Sequence, residues 1–115
     1  MKHLLGICDL KAQDIEKILD HAQMYAEGLT NGSYDAEKHK GKIILHLFFE
    51  NSTRTLTSFE MAAKRLGAEV INWNRETSSL KKGESFMDTI DTLNAMRPDA
   101  VVLRHSEYGA PNYIA

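Results

Sequence analysis

Ser52-Thr53-Arg54-Thr55 concentrates three hydroxyls and a guanidinium in four consecutive positions. The run follows the apolar stretch Ile43-Ile44-Leu45-His46-Leu47-Phe48-Phe49 and precedes a segment with helical spacing. A helix start leaves backbone N–H groups unpaired and carries partial positive charge, and an arginine grips two oxygens of an oxyanion at once. Hydroxyls, N–H groups and guanidinium together describe a site for a phosphate-like anion. A serine before a helix is ordinarily only a cap, and an arginine beside it is ordinarily solvated. Two features favour a ligand here. The run sits at the end of a wholly apolar strand, and a positive charge in the first helical turn opposes the helix dipole unless an anion lies nearby.

The other candidates are weaker by themselves. Residues 74–85 form a long polar stretch carrying Ser79, Lys81 and Lys82, and a loop of that length in a compact domain is often functional, although on residue chemistry alone a solvated basic loop is the better explanation. Arg104 and His105 follow a third apolar run. Glu50 reads as a caging carboxylate or a structural partner for a cation, and is unattractive as a general base so close to an anion site. His46, inside an apolar strand, reads as a hydrogen-bonded core histidine. His3, His21, His39, His46 and His105 show no ligand spacing and no carboxylates cluster, so no metal is expected.

The elements that must position these groups follow from periodicity. Ile15, Ile18, Leu19, Ala22, Ala26 and Leu29 recur at helical spacing after Asp9, a good N-cap residue, and Asn31-Gly32 ends the pattern. Residues 43–49 are continuously apolar, as in a strand covered on both faces, and should be the central strand. A helix over 52–66, stopped by Gly67, comes next. Val70–Trp73 reads as a second strand, Phe86–Met96 as a second helix of this unit and Ala100–Leu103 as a third strand. Strands alternating with helices imply an α/β fold: a three-layer arrangement of parallel sheet and flanking helices, with every strand pointing its carboxyl end at one edge. Ligands bind at that edge in open parallel sheets, and it collects Glu50 to Thr55, the 74–85 loop and Arg104. Met24, Met61, Met87 and Met96 fall in helical stretches and should fill gaps in the core, and Trp73 should pack rather than bind.

Composition sets the outer bounds. With 115 residues the chain is expected to form one domain around one core, and 43% hydrophobic against 26% charged residues is ordinary for a globular protein. A formal net charge of −2 supplies no general attraction for nucleic acid, so the anion chemistry must be local. Cys8 is the one cysteine, which rules out an intrachain disulfide and fits a reducing compartment. The apolar patch at residues 4–7 is interrupted by Asp9 and Lys11, too short for a signal peptide or a spanning helix, so no membrane partner and a cytoplasmic location are expected.

The block Phe48-Phe49-Glu50-Asn51-Ser52-Thr53-Arg54-Thr55 resembles the signature of the aspartate and ornithine carbamoyltransferases. The similarity continues through Thr57-Ser58-Phe59-Glu60, Ala63-Lys64-Arg65-Leu66-Gly67-Ala68, Ser79-Leu80-Lys81-Lys82-Gly83-Glu84-Ser85, Asp88-Thr89 and Val102-Leu103-Arg104-His105, ordered blocks that cover nearly the whole chain from residue 9. The resemblance implies that Ser52, Thr53, Arg54 and Thr55 hold the phosphate of carbamoyl phosphate. It implies that Thr55 and Arg104 contact the carbamoyl oxygen, where negative charge grows during attack. It also implies a third such group, a histidine beyond residue 115, which leaves His105 without that role. Ser79 and Lys82 are similar to residues that reach the active site of a neighbouring subunit, with Lys81 as the alternative lysine. Glu50 matches an acidic position that links two domains in the family, and is expected to be idle here.

By the same resemblance the reaction is transfer of a carbamoyl group to L-aspartate in pyrimidine synthesis, without a cofactor, by a homotrimer. Leu56-Thr57-Ser58-Phe59 and the 79–85 block look closer to the aspartate than to the ornithine branch. Family chains carry a second, acceptor-binding domain, so residues 1–115 are expected to be a truncated carbamoyl-phosphate-binding domain, inactive alone. A non-catalytic phosphate-binding or assembly module and an ornithine carbamoyltransferase are the alternatives.

Overall fold

The computed structural model describes residues 2–74 and 86–115. The chain divides into two compact units, Met1–Asp35 with Ala115, and Ala36–Ile114.

The first unit is built on α1 (Ala12–Asn31). This helix starts two residues later than an Asp9 cap predicts. Asp9 falls in a turn closed by the Leu10 N–H on the Ile7 carbonyl (3.0 Å), and the first helical turn is instead held by Asp14, whose Oδ2 accepts the Lys11 N–H at 3.0 Å. Two acidic residues five positions apart can each begin a helix, and the one whose backbone is free of the preceding turn prevails. The end lies where expected. Gly32 adopts the left-handed conformation (φ 73°) and returns its N–H to the Gly28 carbonyl at 2.7 Å. Ile15, Ile18, Leu19 and Leu29, the apolar stripe of α1, are exposed.

The second unit is a three-stranded parallel sheet in the order β2-β1-β3, with β1 at Ile43–Phe48, β2 at Glu69–Asn74 and β3 at Ala100–Arg104. The apolar run is the central strand, as its continuous character predicts. Its two faces then separate cleanly. Leu45, Leu47 and Phe49 pack with Ile90, against which Trp73, Phe86, Leu93, Leu103 and Ile114 close. This face lies under α3 (Phe86–Ala95) and α4 (Ala110–Ile114). His46 and Phe48 face the other way, toward α2 (Thr53–Arg65), where Phe59 meets the His46 ring edge-on. The α/β three-layer reading therefore holds.

The methionines depart from expectation: Met24, Met61, Met87 and Met96 are 44–72% exposed. In the second unit the residues that α2 and α3 bury are shorter or more rigid, Ala63 on α2 and Thr89 and Ile90 on α3. Trp73 packs as expected, its ring centroid 5.3 Å from that of Phe49.

Among the described glycines, Gly67, between α2 and β2, is the most tightly enclosed. Gly67 has φ 85°, and a Cβ there would lie 2.8 Å from the Ala36 carbonyl oxygen, beside a turn whose His39 N–H donates to the Leu66 carbonyl at 2.8 Å. Gly32 has a similar φ but open space around it. Gly32→Ala should therefore cost only the left-handed penalty of about 1–2 kcal/mol. Gly67→Ala should cost that plus an overlap of about 1–3 kcal/mol. Urea unfolding midpoints of the two variants check the order.

Candidate anion site at the sheet edge

Three segments converge at the carboxyl edge of the sheet. β1 and β3 run in register with Phe48 beside Arg104, and the ladder extends one residue further because the Phe49 N–H donates to the Arg104 carbonyl at 2.8 Å. That bond holds the base of Arg104 against the strand from which Glu50 and α2 emerge. Behind it stands an aromatic wall, with the His105 ring 5.0 Å from Phe49 and 5.1 Å from Phe86. His105 Nδ1 accepts the Glu107 N–H at 2.9 Å, which puts the proton of the neutral ring on Nε2. The histidine thus serves packing and turn formation.

At the start of α2, Ser52 has an extended φ of −155° and makes no side-chain capping hydrogen bond. Its carbonyl accepts the Leu56 N–H at 2.9 Å, the first bond of the helix. The N–H groups of Thr53, Arg54 and Thr55 precede that bond and lie at the positive end of the dipole. No acidic residue occupies the first turn, whereas Lys64 and Arg65 stand in the last one, where cations belong. The serine is therefore not spent as a cap, and the charge in the first turn is the unfavourable one, Arg54. Thr53 and Arg54 are exposed, and Ser52 and Thr55 are half-buried.

Arg104 reaches from β3 to this helix start. Its Nε–H donates to Glu50 Oε1 at 2.8 Å, and its Nη1 approaches Thr55 Oγ1 at 3.4 Å. Glu50, expected to be idle, is thus an ion-pair partner, because the turn after β1 brings it level with the end of β3, 54 residues away in sequence. Both side chains of the pair are roughly two-fifths exposed, so the bridge contributes no more than about 1 kcal/mol. A strongly charged ligand can therefore displace it cheaply.

The structure brings together Ser52, Thr53, Arg54, Thr55 and Arg104. Ser79, Lys81 and Lys82 lie outside the described residues. His46 is buried and its Nδ1 pairs with Asn72 Oδ1 at 3.1 Å, the hydrogen-bonded core histidine the sequence suggests. Among the described residues no three His, Cys, Asp or Glu side chains group as metal ligands. Sequence reasoning allowed Glu50 a cationic partner without identifying Arg104, and missed the continuation of the His46 contact through Asn72. A signal existed for the second: His46 and Asn72 each interrupt an apolar strand, and strands in parallel register place such intrusions side by side.

Comparison with known proteins agrees with this geometry. The family described as "Aspartate/ornithine carbamoyltransferase, carbamoyl-P binding domain" matches residues 2–115. The aspartate carbamoyltransferase catalytic subunit of Rhodospirillum rubrum is 48% identical over 114 residues, 99% of this chain and 36% of that protein. The chain superposes on the catalytic subunit of M. jannaschii aspartate transcarbamoylase with TM-score 0.83 and 42% identity, covering 98% of this chain and 38% of that one. It superposes on Trypanosoma cruzi aspartate transcarbamoylase, solved in complex with carbamoyl phosphate and aspartate, with TM-score 0.87 and 34% identity over 98% of this chain and 37% of that one. The chain thus spans little more than a third of the length of these relatives. On the match of residues 2–115, it belongs to the aspartate/ornithine carbamoyltransferase carbamoyl-P binding domain family.

Proposed function

We propose that this chain supplies the carbamoyl-phosphate site of an aspartate carbamoyltransferase, which converts carbamoyl phosphate and L-aspartate to N-carbamoyl-L-aspartate and phosphate for pyrimidine synthesis. The observation that carries the proposal is the meeting of Thr55 and Arg104 beside the uncapped start of α2. It joins the free N–H groups of a helix start to a hydroxyl and a guanidinium 3.4 Å apart, donors of the kinds that a phosphate and the carbonyl attached to it accept from.

In this mechanism Ser52, Thr53, Arg54 and the first-turn N–H groups of α2 hold the phosphate. Thr55 and Arg104 donate to the carbamoyl oxygen. The neutral amine of aspartate attacks the carbonyl carbon, the C=O electrons move onto oxygen, and the donors are placed to stabilise that charge. Collapse re-forms the carbonyl, breaks the C–O bond to phosphate and releases the amine proton to the departing dianion. Positioning and electrostatics supply the rate. Acceptor recognition is assigned to the length of the relatives that this chain does not span, and Ser79 and Lys82, or Lys81, to a neighbouring subunit of a trimer. A reducing, cytoplasmic setting suits the exposed Cys8.

Binding is testable on the chain itself. A ligand at 100 times its Kd adds about 2.7 kcal/mol to native stability. For a domain with a urea dependence of about 1–3 kcal/mol/M, that moves the unfolding midpoint up by roughly 1–2.7 M. Carbamoyl phosphate should produce a saturable shift of that size, and Arg54→Ala should abolish it. A folded chain with no shift removes the proposal. Glu50→Gln should strengthen binding, since the ligand no longer competes with a carboxylate for Arg104. The gain should be at most about fivefold, matching the modest worth of a partly exposed bridge.

A further inference from the structure

His46 is an expensive residue where it stands. Its side chain is 1% exposed in an otherwise apolar strand, and its Nε2 is buried with no hydrogen-bond partner among the described residues. An isoleucine or valine at that point would bury more apolar surface and leave no polar atom unpaired. Such a conflict between local stability and the residue present marks a position held for another reason.

The reason is visible in what the other ring nitrogen does. Strand register places His46 of β1 directly beside Asn72 of β2. Asn72 Nδ2 donates to Glu60 Oε2 on α2 at 3.1 Å, and Glu60 is bridged by Lys64 at 3.1 Å. The carboxylate can only accept, so it fixes which end of the Asn72 amide points toward it. The amide oxygen must then face His46, and the ring must donate from Nδ1 at 3.1 Å. The Asn72 hydrogen bond and the Lys64 ammonium hold Glu60 below its ordinary carboxylate range, against a smaller opposing desolvation. A directional chain thus runs from the buried centre of the sheet to the middle of α2.

α2 needs such a fastening. Its apolar grip on the sheet is slight: Ala63 is its one buried residue among the described ones, and Phe59 and Met61 are 45% and 49% exposed. A helix so loosely packed can roll about its axis. A roll of 20° would carry side-chain atoms on a helix of about 10–12 Å diameter through roughly 2 Å. A 1 Å misplacement can cost on the order of 100-fold in a positioned reaction.

Resting on the phosphate-site reading above, we infer that His46, Asn72 and Glu60 are positioning residues: a polar tether that fixes the rotation of α2 and so aims Arg54, Thr55 and the first-turn N–H groups at the bound phosphate.

The test uses the 115-residue chain with Glu60→Ala, Glu60→Gln and wild type, read in two ways. Titration with carbamoyl phosphate below the unfolding transition should give a Kd weakened about tenfold or more in Glu60→Ala, the scale of one impaired hydrogen bond to a charged group. Glu60→Gln, which keeps an oxygen acceptor for Asn72, should restore most of it. Nitrogen-15 spectra of the ligand-free chain should show His46 as the Nδ1–H tautomer, and the amide signals of Thr53, Arg54 and Thr55 should move in Glu60→Ala but little in Glu60→Gln. A Glu60→Ala chain that is less stable yet binds with wild-type Kd reduces the tether to ordinary scaffolding and overturns the inference. If wild type itself fails to bind, the phosphate-site reading falls. The tether is then decided by the tautomer and the amide shifts, and an Nε2–H His46 or unmoved amides would sink it.

Discussion

Everything at the sheet edge depends on β1 being buried on both faces and paired on both sides. A strand in that position must be apolar almost throughout, and the run from Ile43 to Phe49 meets the requirement. Parallel pairing on each side forces β2 and β3 to finish level with it. The ends of β1 and β3, and the helix that follows β1, consequently open onto one small volume. Leu47, 1% exposed, and Phe49, packed among Trp73, Phe86 and His105, anchor that arrangement from beneath. The chemistry-bearing residues contribute little of the packing. They are partly exposed groups carried on a rigid base, which is how an electrostatic site remains both hydrated enough to admit a charged ligand and ordered enough to orient it.

Much of this was legible in order along the chain and little of it across the chain. The central strand, the parallel α/β arrangement and the helix after Ser52 follow from continuous apolar runs, as burial on two faces requires, and from the helical period of about 3.6 residues. The helix start near Asp9 did not, because capping chemistry was present twice and only the turn at Ile7–Leu10 decides between the candidates. The exposed methionines were misjudged because periodicity reveals a face without revealing what else competes to cover it. Glu50 could be read as a partner for a cation, but not for which one: Arg104 lies 54 residues later, and pairing over such a separation is fixed by register, which the sequence encodes only through the strands on either side.

The same distinction applies to the two polar intrusions in the sheet. Read singly, His46 is a tolerable core histidine and Asn72 an undistinguished strand residue. Read with the register, they are neighbours, and with Glu60 they join the sheet to the helix that bears the phosphate-like site. Local patterns identified the groups that would touch a ligand, whereas the groups that aim them emerge only from long-range geometry.

The Glu50–Arg104 bridge also bears on which anions the sheet edge would favour. A tethered carboxylate confronts the guanidinium at an effective concentration in the millimolar range or above, however dilute the surroundings. A singly charged ion such as chloride must compete with a resident group of equal charge and better geometry, and gains nothing by the exchange. An anion of two charges offers more than the carboxylate it displaces, and it also satisfies the helix end that the carboxylate leaves open. The intramolecular bridge is therefore a low threshold: worth at most about 1 kcal/mol, it disfavours a singly charged competitor by no more than about fivefold and yields more readily to an anion of two charges.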